Sequence, residues 1–327
     1  MSGPALDPVQ LAAAVEHHLG TSARIEGLRR LSGGASRETW SFDVLTSGGD
    51  RHALVLRRDP GAHAGTSPRS VEYALLEAAR RGGVAVPAVR FLLEPGDELG
   101  SGFVMERIPG ETIPRRILRD DVYADARAGM ARQCGELAAR IHAVDTATLP
   151  PLPAQAAASQ VTQYRELIDG LGEPHPTFEL GLRWLDERAP PPPERTTLVH
   201  GDFRNGNFVV GPDGIRAVLD WELAHLGDPA EDLGWLCVTS WRFGVHDRPV
   251  GGFGSVTDLL AGYRDAGGGA VDPDRVRYWE VLGTLKWGVI CQLQASTHLS
   301  GVVRSVELAA LGRRVAETEW DLLELIG

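Results

Sequence analysis

One short segment, residues 198–222, restricts what this chain can fold into more than any other feature. It holds the triplet His200-Gly201-Asp202, then Asn207, and then an apolar run that ends at Asp220. Pro212-Asp213-Gly214 lies between two apolar runs and has the composition of a turn, so the runs are predicted to pair as a β-hairpin. That hairpin would place Asn207 and Asp220 at neighbouring strand ends, where two oxygen-bearing side chains can share one cation.

These side chains are the ones that phosphoryl transfer requires. Asp202 is predicted to accept a hydroxyl hydrogen as the catalytic base, and orienting that hydroxyl matters more than removing its proton early. Asn207 and Asp220 are predicted to bind Mg²⁺, which prefers hard oxygens and takes few protein ligands. Arg204 is a further candidate catalytic residue: it either contacts an anionic acceptor or phosphate, or pairs with an acid of the loop. Glu222 would reach a metal-bound water or bond to backbone.

The segment resembles the aminoglycoside/choline kinase-like phosphotransferase family, whose members share the protein-kinase fold. His-Gly-Asp-Phe-Arg-x-x-Asn followed by Leu-Asp-Trp-Glu-x-Ala-x-x-Gly-Asp-Pro is similar to one branch in particular, which includes the kinase domains linked to acyl-CoA dehydrogenases. The resemblance covers most of the chain, from about Leu28 to Leu236 and more loosely beyond. It implies an α+β, protein-kinase-like fold with two lobes and a nucleotide as phosphoryl donor.

Local patterns favour the same fold class. A helix from Asp7 to about Leu19 precedes five short strand patterns, with one helix between the third and the fourth, and the chain then becomes mostly helical. We therefore expect a small five-stranded antiparallel β N-lobe over residues 1–108, which binds the nucleotide and includes the N-terminal helix. A larger, mainly helical C-lobe over 109–327 would hold the catalytic loop, the metal site and the acceptor pocket. The last helix is expected at 303–325.

A glycine-containing loop lies between the first two strands. Ser32, Gly33, Gly34 and Ser36 belong to it. Two adjacent glycines between strands often form nothing more than a turn. In this position they are predicted to cover the nucleotide phosphates, because glycine lets the backbone approach an anion closely.

The third strand ends at Arg57, where related kinases place a phosphate-binding lysine. Arginine stays charged and can bind phosphates through two hydrogen bonds, so Arg57 is predicted to take that role. Glu72, early on the following helix, is its expected ion-pair partner. The only lysine of the chain, Lys286, lies too far along the sequence to substitute for Arg57.

The segment that links the lobes contains Met105, Glu106 and Ile108. By the resemblance, backbone groups of Glu106 and Ile108 would hydrogen-bond a purine, with Met105 as its apolar neighbour. The alternative is an ordinary strand that ends at Pro109-Gly110. The sequence does not distinguish ATP from GTP as the donor.

Several other residues near the motif are predicted to be structural. His200 would bond to backbone near the metal ligand, and Asp228 would cap a helix that begins with Pro229. Asp232 would lie in the first turn of that helix, where the helix dipole favours a negative charge. Trp235 and other tryptophans of this region would pack the lobe, and some of them would line the acceptor pocket.

The composition excludes several classes of protein. A net charge of −11 argues against nucleic acid as a partner, because phosphate backbones bind basic surfaces. No apolar run approaches the roughly 18 residues that a membrane-spanning helix needs. The N-terminus lacks the features of a signal peptide, and three scattered cysteines fit a reducing compartment, so a cytoplasmic monomer or homodimer is expected.

We therefore expect a Mg²⁺-dependent small-molecule kinase that transfers the γ-phosphoryl group of ATP or GTP to a hydroxyl. The branch resemblance favours a hydroxylated acyl compound as the acceptor. An aminoglycoside or other antibiotic is the alternative, because the C-lobe is acidic, although its last stretch mixes Glu317, Glu319, Asp321 and Glu324 with Arg313 and Arg314. A third possibility, a nucleotide-binding regulatory protein without catalysis, follows only from arginine at position 57.

Overall fold

The computed structural model describes residues 6–31, 38–59 and 68–327. The chain separates into two compact units. The first is Met1–Pro109 with Ala147–Pro150, and the second is Gly110–Thr146 with Pro151–Gly327.

The first unit is built on a five-stranded antiparallel sheet, as the sequence predicted. The strand order is β1-β2-β3-β5-β4, and every neighbouring pair is antiparallel. Its elements in chain order are α1 (Pro8–Leu19), β1 (Ala23–Leu31), β2 (Glu38–Thr46), β3 (Arg51–Asp59), α2 (Arg69–Arg81), β4 (Val89–Leu92) and β5 (Ser101–Glu106).

Helix α1 covers part of this sheet and has a clear start and stop. The Asp7 carboxylate accepts the N–H of Val9 at 2.8 Å, and Gly20 ends the helix in the left-handed conformation with φ 66°. Leu11 and Val15 project from α1 into the same apolar core as the buried side chains of β2 and β3. The helix is therefore held by its cap and by burial of one face.

A buried ion-pair cluster connects β3 with α2. Arg69, which is only 2% exposed, donates two hydrogen bonds to the Asp59 carboxylate, at 2.9 and 3.0 Å, and one to Glu72 at 2.6 Å. Glu72 also lies 2.7 Å from the guanidinium of Arg57, which is the ion pair expected from the sequence. Arg69 therefore balances two buried carboxylates and fixes the start of α2 against the end of β3.

The second unit is mainly helical, with four short strands around the motif. Strand β6 pairs with β9 and β7 pairs with β8. Its helices are α3 (Pro114–Arg119), α4 (Ala124–His142), α5 (Ala157–Leu171), α6 (Pro176–Glu187), α7 (Ala230–Cys237), α8 (Val256–Tyr263), α9 (Pro273–Leu299), α10 (Val306–Gly312) and α11 (Arg314–Ile326). Its strands are β6 (Thr197–Val199), β7 (Phe208–Gly211), β8 (Gly214–Val218) and β9 (His225–Gly227).

Helix α9 is the centre of the second unit. Its buried residues Leu285 and Val289 share one apolar core with Phe178 and Leu182 of α6 and with Leu322 of α11. A helix that is apolar on several faces must be enclosed by others, and α9 is packed in this way. In the described part of the chain, no helix combines the length and the apolar character needed to cross a bilayer.

The expectation of a single helix at 303–325 was wrong. The segment forms two helices, α10 and α11, with Arg313 between them, and α10 begins after Ser305, whose hydroxyl accepts the N–H of Leu308. Gly312, a poor helix former, ends α10 where a Cβ atom would lie 2.8 Å from that of Ala295 on α9. Close packing against α9, which periodicity alone does not show, determines where the helix is interrupted.

A second buried charge pair joins β9 to α7. His225 is 2% exposed, and its Nδ1 lies 2.9 Å from the Leu223 carbonyl oxygen while its Nε2 lies 3.0 Å from Glu231 Oε2. Both oxygens accept, so both ring nitrogens donate and the imidazole is protonated. Burial would lower the pKa of His225, but the Glu231 carboxylate and the Leu223 carbonyl outweigh it and raise the pKa above 6.5.

We predict that Arg69→Met lowers the free energy of unfolding of the protein by about 3–5 kcal/mol, because two buried carboxylates lose their cation. Arg80→Met, an exposed change on the same helix, should alter it by no more than about 0.5 kcal/mol. Urea unfolding followed by circular dichroism measures both. Equal effects of the two substitutions would show that the Arg69 cluster does not stabilise α2.

We predict that the stabilisation from His225 depends on pH. The folded-state pKa is raised, so the stabilisation is fully present below the unfolded pKa of about 6.5 and is lost as the pH rises through the folded-state value. Urea unfolding of the wild type and His225→Gln, at steps from about pH 6 to pH 9, gives the difference in unfolding free energy. That difference should shrink as the pH rises; a constant or growing difference would contradict the protonated ion pair.

Candidate active site

The hairpin predicted from the turn composition is present and brings the two predicted metal ligands to one end. Phe208 of β7 pairs with Val218 of β8, and the N–H of Leu219 donates to the carbonyl of Asn207 at 2.8 Å. Asn207 and Asp220 therefore leave the hairpin at the same end, on opposite strands. This placement follows from the register of the pairing.

Asp202 has both carboxylate oxygens engaged by N–H donors. Oδ1 accepts from Arg204 Nε and from Trp235 Nε1, each at 2.8 Å, and Oδ2 accepts from Asn207 Nδ2 at 2.6 Å. The Asp202 side chain nevertheless keeps 14% of its surface exposed. The carboxylate is thus held in one orientation and can still be reached by a ligand.

Asn207 is oriented so that its amide oxygen is the atom left for a cation. Its Nδ2 donates both to Asp202 Oδ2 and to the backbone carbonyl of Asp202, the latter at 2.8 Å. Asp220, the second predicted ligand, has φ 66°, a left-handed conformation that few residues other than glycine adopt. An amide oxygen and a carboxylate at one hairpin end fit the oxygen preference of Mg²⁺.

His200 bonds to the backbone next to Asp220, the predicted metal ligand, as expected. Its Nε2 donates to the carbonyl of Leu219, at 3.0 Å, and its Nδ1 accepts the N–H of Asp202, at 3.2 Å. A carbonyl can only accept and a backbone N–H can only donate, so the ring is neutral with its proton on Nε2. His200 therefore connects the loop that carries Asp202 to the strand that leads into Asp220.

Asp232 lies in the first turn of α7, as predicted, and its carboxylate also makes contacts that the sequence did not show. The fully buried carboxylate accepts the backbone N–H groups of His200 and Gly201, at 2.8 and 3.0 Å, and the Nε2–H of His142 at 3.0 Å. Burial would raise the pKa of Asp232, but the hydrogen bonds from His142 and His200 outweigh it and lower the pKa. Asp232 thus fixes the backbone that carries Asp202.

Gly201 is required by the shape of this loop. Its φ of +79° is left-handed, and an added Cβ atom would lie 2.4 Å from the backbone oxygen of Leu223. A side chain here would be strained and would collide with backbone that cannot give way. The close approach of the two loops explains why glycine stands between His200 and Asp202.

Arg204 pairs with an acid of its own loop, one of the two alternatives open from the sequence. It binds Asp202 through Nε, and its guanidinium lies 4.4 Å from the centre of the Trp241 ring. Its contact with an anionic acceptor or a phosphate stays a prediction. Glu222, two residues after Asp220, is half-buried.

Asp228 is structural, as predicted, but the helix that it was expected to cap begins at Ala230, with Pro229 before it rather than as its first residue. It is buried, and Oδ1 accepts the N–H of Ala230 at the start of α7 at 3.0 Å. Oδ2 accepts from Arg275 at 2.8 Å and from Trp279 at 3.0 Å. All of these partners belong to the packing of α7 against α9.

Two residues beside Asp202 were not recognised from the sequence. Trp235 was expected to pack the lobe or line the acceptor pocket; it is buried, and its indole N–H also donates to the Asp202 carboxylate. Lys286 was considered only as a substitute for Arg57 and dismissed, yet its Nζ lies 3.4 Å from the Gly201 carbonyl. The one available signal was that a sole lysine lies within an apolar helical pattern.

The first unit holds the predicted nucleotide-binding residues that the structure describes. Arg57, at 14% side-chain exposure, is paired with Glu72, and Met105 is buried in β5. The N–H of Glu106 donates to the Ala88 carbonyl at 2.8 Å, so a purine bound there would have to use the Glu106 carbonyl. Ile108 is half-buried after the strand.

The predicted phosphate loop, with Ser32, Gly33, Gly34 and Ser36, lies outside the described residues.

Comparison with known sequences identifies the family. The profile of the phosphotransferase enzyme family (APH) matches residues 27–279. Acyl-CoA dehydrogenase family member 10 of Mus musculus is 32% identical over 199 residues, which are 57% of this chain and 18% of that protein. Member 11 of Gallus gallus is 30% identical over 247 residues, 70% of this chain and 30% of that protein. The matched region is less than a third of either relative, and the predicted branch resemblance is confirmed.

Comparison with solved structures shows the fold. A Ralstonia eutropha protein assigned to the aminoglycoside phosphotransferases has a TM-score of 0.75 at 21% identity, with 98% of both chains covered. Spectinomycin phosphotransferase APH(9)-Ia, solved with ADP and spectinomycin, has a TM-score of 0.65 at 13% identity, covering 98% of this chain and 95% of that chain. A thermostable mutant of APH(4)-Ia, solved with AMP-PNP and hygromycin B, has 0.63 at 16%, covering 97% and 98%. The predicted protein-kinase-like fold is thereby confirmed.

Proposed function

The chain belongs to the phosphotransferase enzyme family, and we propose that it is a Mg²⁺-dependent small-molecule kinase. In the proposed reaction, a hydroxyl oxygen of the acceptor forms a bond to the γ-phosphorus of ATP or GTP. The bond between that phosphorus and the bridging oxygen breaks, and the nucleoside diphosphate leaves. The hydroxyl proton passes to the carboxylate of Asp202, and the product is a phosphate monoester.

The arrangement of Asp202 is the observation that carries this proposal. Arg204, Trp235 and Asn207 all donate to its carboxylate, so its orientation is set before an acceptor binds. A base that is already oriented saves the entropy of aligning the hydroxyl, and alignment is most of what a loose phosphoryl-transfer transition state needs. Residual exposure of Asp202 leaves room for that hydroxyl.

Mg²⁺ would be held by the Asn207 amide oxygen and the Asp220 carboxylate. A bound Mg²⁺ neutralises charge on the nucleotide phosphates and needs few protein ligands, since phosphates and waters complete its shell. The hydrogen bonds from Asn207 Nδ2 to Asp202 support this assignment, because they turn the amide oxygen away from the base. Asn207 thereby links the orientation of the base to the metal site.

For the first unit, the proposal assigns Arg57 to the nucleotide phosphates and Glu72 to holding Arg57. Their 2.7 Å ion pair supports this, because a buried carboxylate holds the guanidinium of Arg57 in one position. The Ser32–Ser36 loop is proposed to cover the phosphates, and Met105, Glu106 and Ile108 to bind the purine. The relatives solved with AMP-PNP or ADP support an adenine nucleotide.

The charges around Asp202 favour a hydroxylated acyl acceptor over a polycationic antibiotic. The side chains that donate to its carboxylate are those of Arg204, Trp235 and Asn207, and the Arg204 guanidinium in turn lies 4.4 Å from the centre of the Trp241 ring. A guanidinium and aromatic rings suit apolar or anionic groups. A polycation would instead need unpaired carboxylates near the base. The similarity to acyl-CoA dehydrogenase family members 10 and 11 points the same way.

The acidic residues near the C-terminus do not form a strongly anionic pocket. Glu319 lies 3.1 Å from His175 and Glu317 lies 3.3 Å from Arg314, while burial raises the pKa of Asp321. A cavity of about 640 Å³ in this region has lining residues of both charges, Arg115, His246, Arg314, Glu317 and Asp321 among them. A cavity lined by both charges does not favour the binding of a polycationic aminoglycoside.

We predict that Asp202→Asn separates binding from transfer. It should lower kcat by at least about a hundredfold, because the base is lost, while the Kd for Mg-nucleotide changes no more than a few-fold. Asp213→Asn, an exposed change in the turn of the hairpin, is the matched control and should leave kcat unchanged. Nucleoside diphosphate release in the presence of an acceptor pool, together with calorimetric nucleotide binding, provides both values. A wild type that binds nucleotide but transfers to nothing would favour the regulatory binder.

We predict that hydroxylated acyl compounds, as free acids or thioesters, are phosphorylated with higher kcat/KM than aminoglycosides. The physical reason is the cationic and aromatic surroundings of Asp202. Mass spectrometry of parallel reactions with each acceptor class measures the ratio. Preferential phosphorylation of an aminoglycoside would reject the acyl acceptor and leave the kinase chemistry standing.

We predict that Arg57→Met raises the KM for the nucleotide about tenfold or more, since charge-assisted hydrogen bonds to phosphate are lost. Arg57→Lys should keep part of the affinity because the charge remains. Arg51→Met, an exposed change on the same strand, serves as the control and should leave KM within about twofold. An unchanged KM in Arg57→Met would exclude Arg57 from phosphate binding.

A further inference from the structure

Behind the catalytic loop, a tryptophan and a lysine are stacked in series. Trp235 of α7 is 3% exposed and donates its indole N–H to Asp202 Oδ1 at 2.8 Å. Lys286 of α9 is 9% exposed, and its Nζ lies 4.7 Å from the centre of the Trp235 ring. The order in space is therefore ammonium group, indole ring, indole N–H and carboxylate.

We propose that Trp235 and Lys286 are positioning residues for Asp202. The indole N–H of Trp235 fixes the carboxylate, and the ammonium group of Lys286 packs over the indole ring and polarises it. This inference rests on the proposed function, in which Asp202 is the base. It assigns a role to the only lysine of the chain and to Trp235, a tryptophan whose burial alone would suggest only core packing.

The indole is well suited to hold a carboxylate in place. It is rigid, it has few side-chain torsions, and in this fold it is fixed on α7 with its ring packed 5.2 Å from that of Trp241. Arg204 donates to the same oxygen from the loop, but the Arg204 side chain keeps 24% of its surface exposed and is longer. Trp235 is thus the donor whose position is set by the buried core.

The ammonium group of Lys286 acts on both the ring and the loop. A cation over an indole face draws electron density from the ring, which makes the N–H more polar and strengthens its bond to a carboxylate. Nζ also lies 3.4 Å from the Gly201 carbonyl and 3.9 Å from Glu231 Oε1. Lys286 therefore supports the residue next to Asp202 in the chain as well as the ring that holds it.

Lys286 is charged in this position. Burial would lower its pKa, but the oxygen-bearing groups around it, the Tyr164 hydroxyl and the carboxylates of Glu231, Asp202 and Asp232, outweigh burial and raise the pKa above the ordinary lysine value. A lysine ammonium is a compact point charge that fits over one ring, whereas guanidinium is planar and broader. All of the remaining Lys and Arg residues of the chain are arginine. The lysine at position 286 is consistent with a site whose shape favours the smaller cation.

The first test is kinetic. Trp235→Phe keeps a ring but removes the N–H, and it should lower kcat about tenfold or more while the KM for nucleotide stays within about twofold. Lys286→Met should lower kcat several-fold, and Lys286→Arg should restore part of it. Trp287→Phe is the matched control, because the Trp287 indole nitrogen has no hydrogen-bond partner among the described residues. Unchanged kcat in Trp235→Phe would overturn the proposal.

The second test does not depend on activity. Indole N–H signals of the eight tryptophans are recorded in a ¹⁵N-labelled full-length chain, and the Trp235 signal is assigned by its absence in Trp235→Phe. The signal should lie downfield in the wild type, move upfield in Asp202→Ala, and move part of the way in Lys286→Met but less in Lys286→Arg. An indole N–H chemical shift of Trp235 that is the same in the wild type and in Asp202→Ala would overturn the proposal, even if all variants fold.

The two tests separate this inference from the proposed function. The Trp235 signal could respond to Asp202→Ala and to Lys286→Met in a protein that phosphorylates no acceptor. That result would support the proposed positioning of the Asp202 carboxylate and overturn the proposed kinase activity. An active kinase whose kcat and Trp235 signal are both insensitive to Lys286→Met would remove Lys286 from the proposal.

Discussion

The buried carboxylate of Asp232 is the interaction on which the site depends. It accepts two backbone N–H groups of the His200–Gly201 turn and one N–H of His142, which joins the loop that carries Asp202 to α4 and α7 at a single point. Without that acceptor, two buried backbone donors would be left unpaired, at a cost of about 1–3 kcal/mol each. His200 extends the connection to Leu219, and so the positions of Asp202 and Asp220 both follow from one buried charge.

Charge near the site is arranged differently from charge over the whole chain. The chain carries a net −11, yet the groups that donate to the Asp202 carboxylate are Arg204, Asn207 and the Trp235 indole, and Lys286 lies 3.4 Å from the neighbouring Gly201 carbonyl. Two buried acids of the second unit are paired with basic side chains: Glu231 with His225 and Lys286, and Asp228 with Arg275. The overall acidity therefore says little about the acceptor, whereas the local surroundings of the base say more.

Much of the fold and part of the site could be predicted from the sequence because their determinants are local. The turn at Pro212-Asp213-Gly214 sets the hairpin register, and that register places Asn207 and Asp220 at one end. The ion pair of Arg57 with Glu72 followed from strand and helix order. Trp235 and Lys286 could not be assigned in the same way, because their contacts with Asp202 and Gly201 span 33 and 85 residues and depend on how α7 and α9 pack. The break between α10 and α11 was missed for a similar reason, since it is set by contact with α9.

The most direct test of the central claim, that Asp202 directs phosphoryl transfer to a small-molecule hydroxyl, is to follow the γ-phosphoryl group itself. ATP labelled with ¹⁸O in that group would be incubated with Mg²⁺, pooled hydroxylated acyl compounds and the wild type, and the products examined by mass spectrometry. We expect a phosphate monoester that carries the γ-phosphoryl oxygens, formed by the wild type and absent with Asp202→Asn. Label found only in inorganic phosphate, or a monoester formed equally by Asp202→Asn, would contradict the claim.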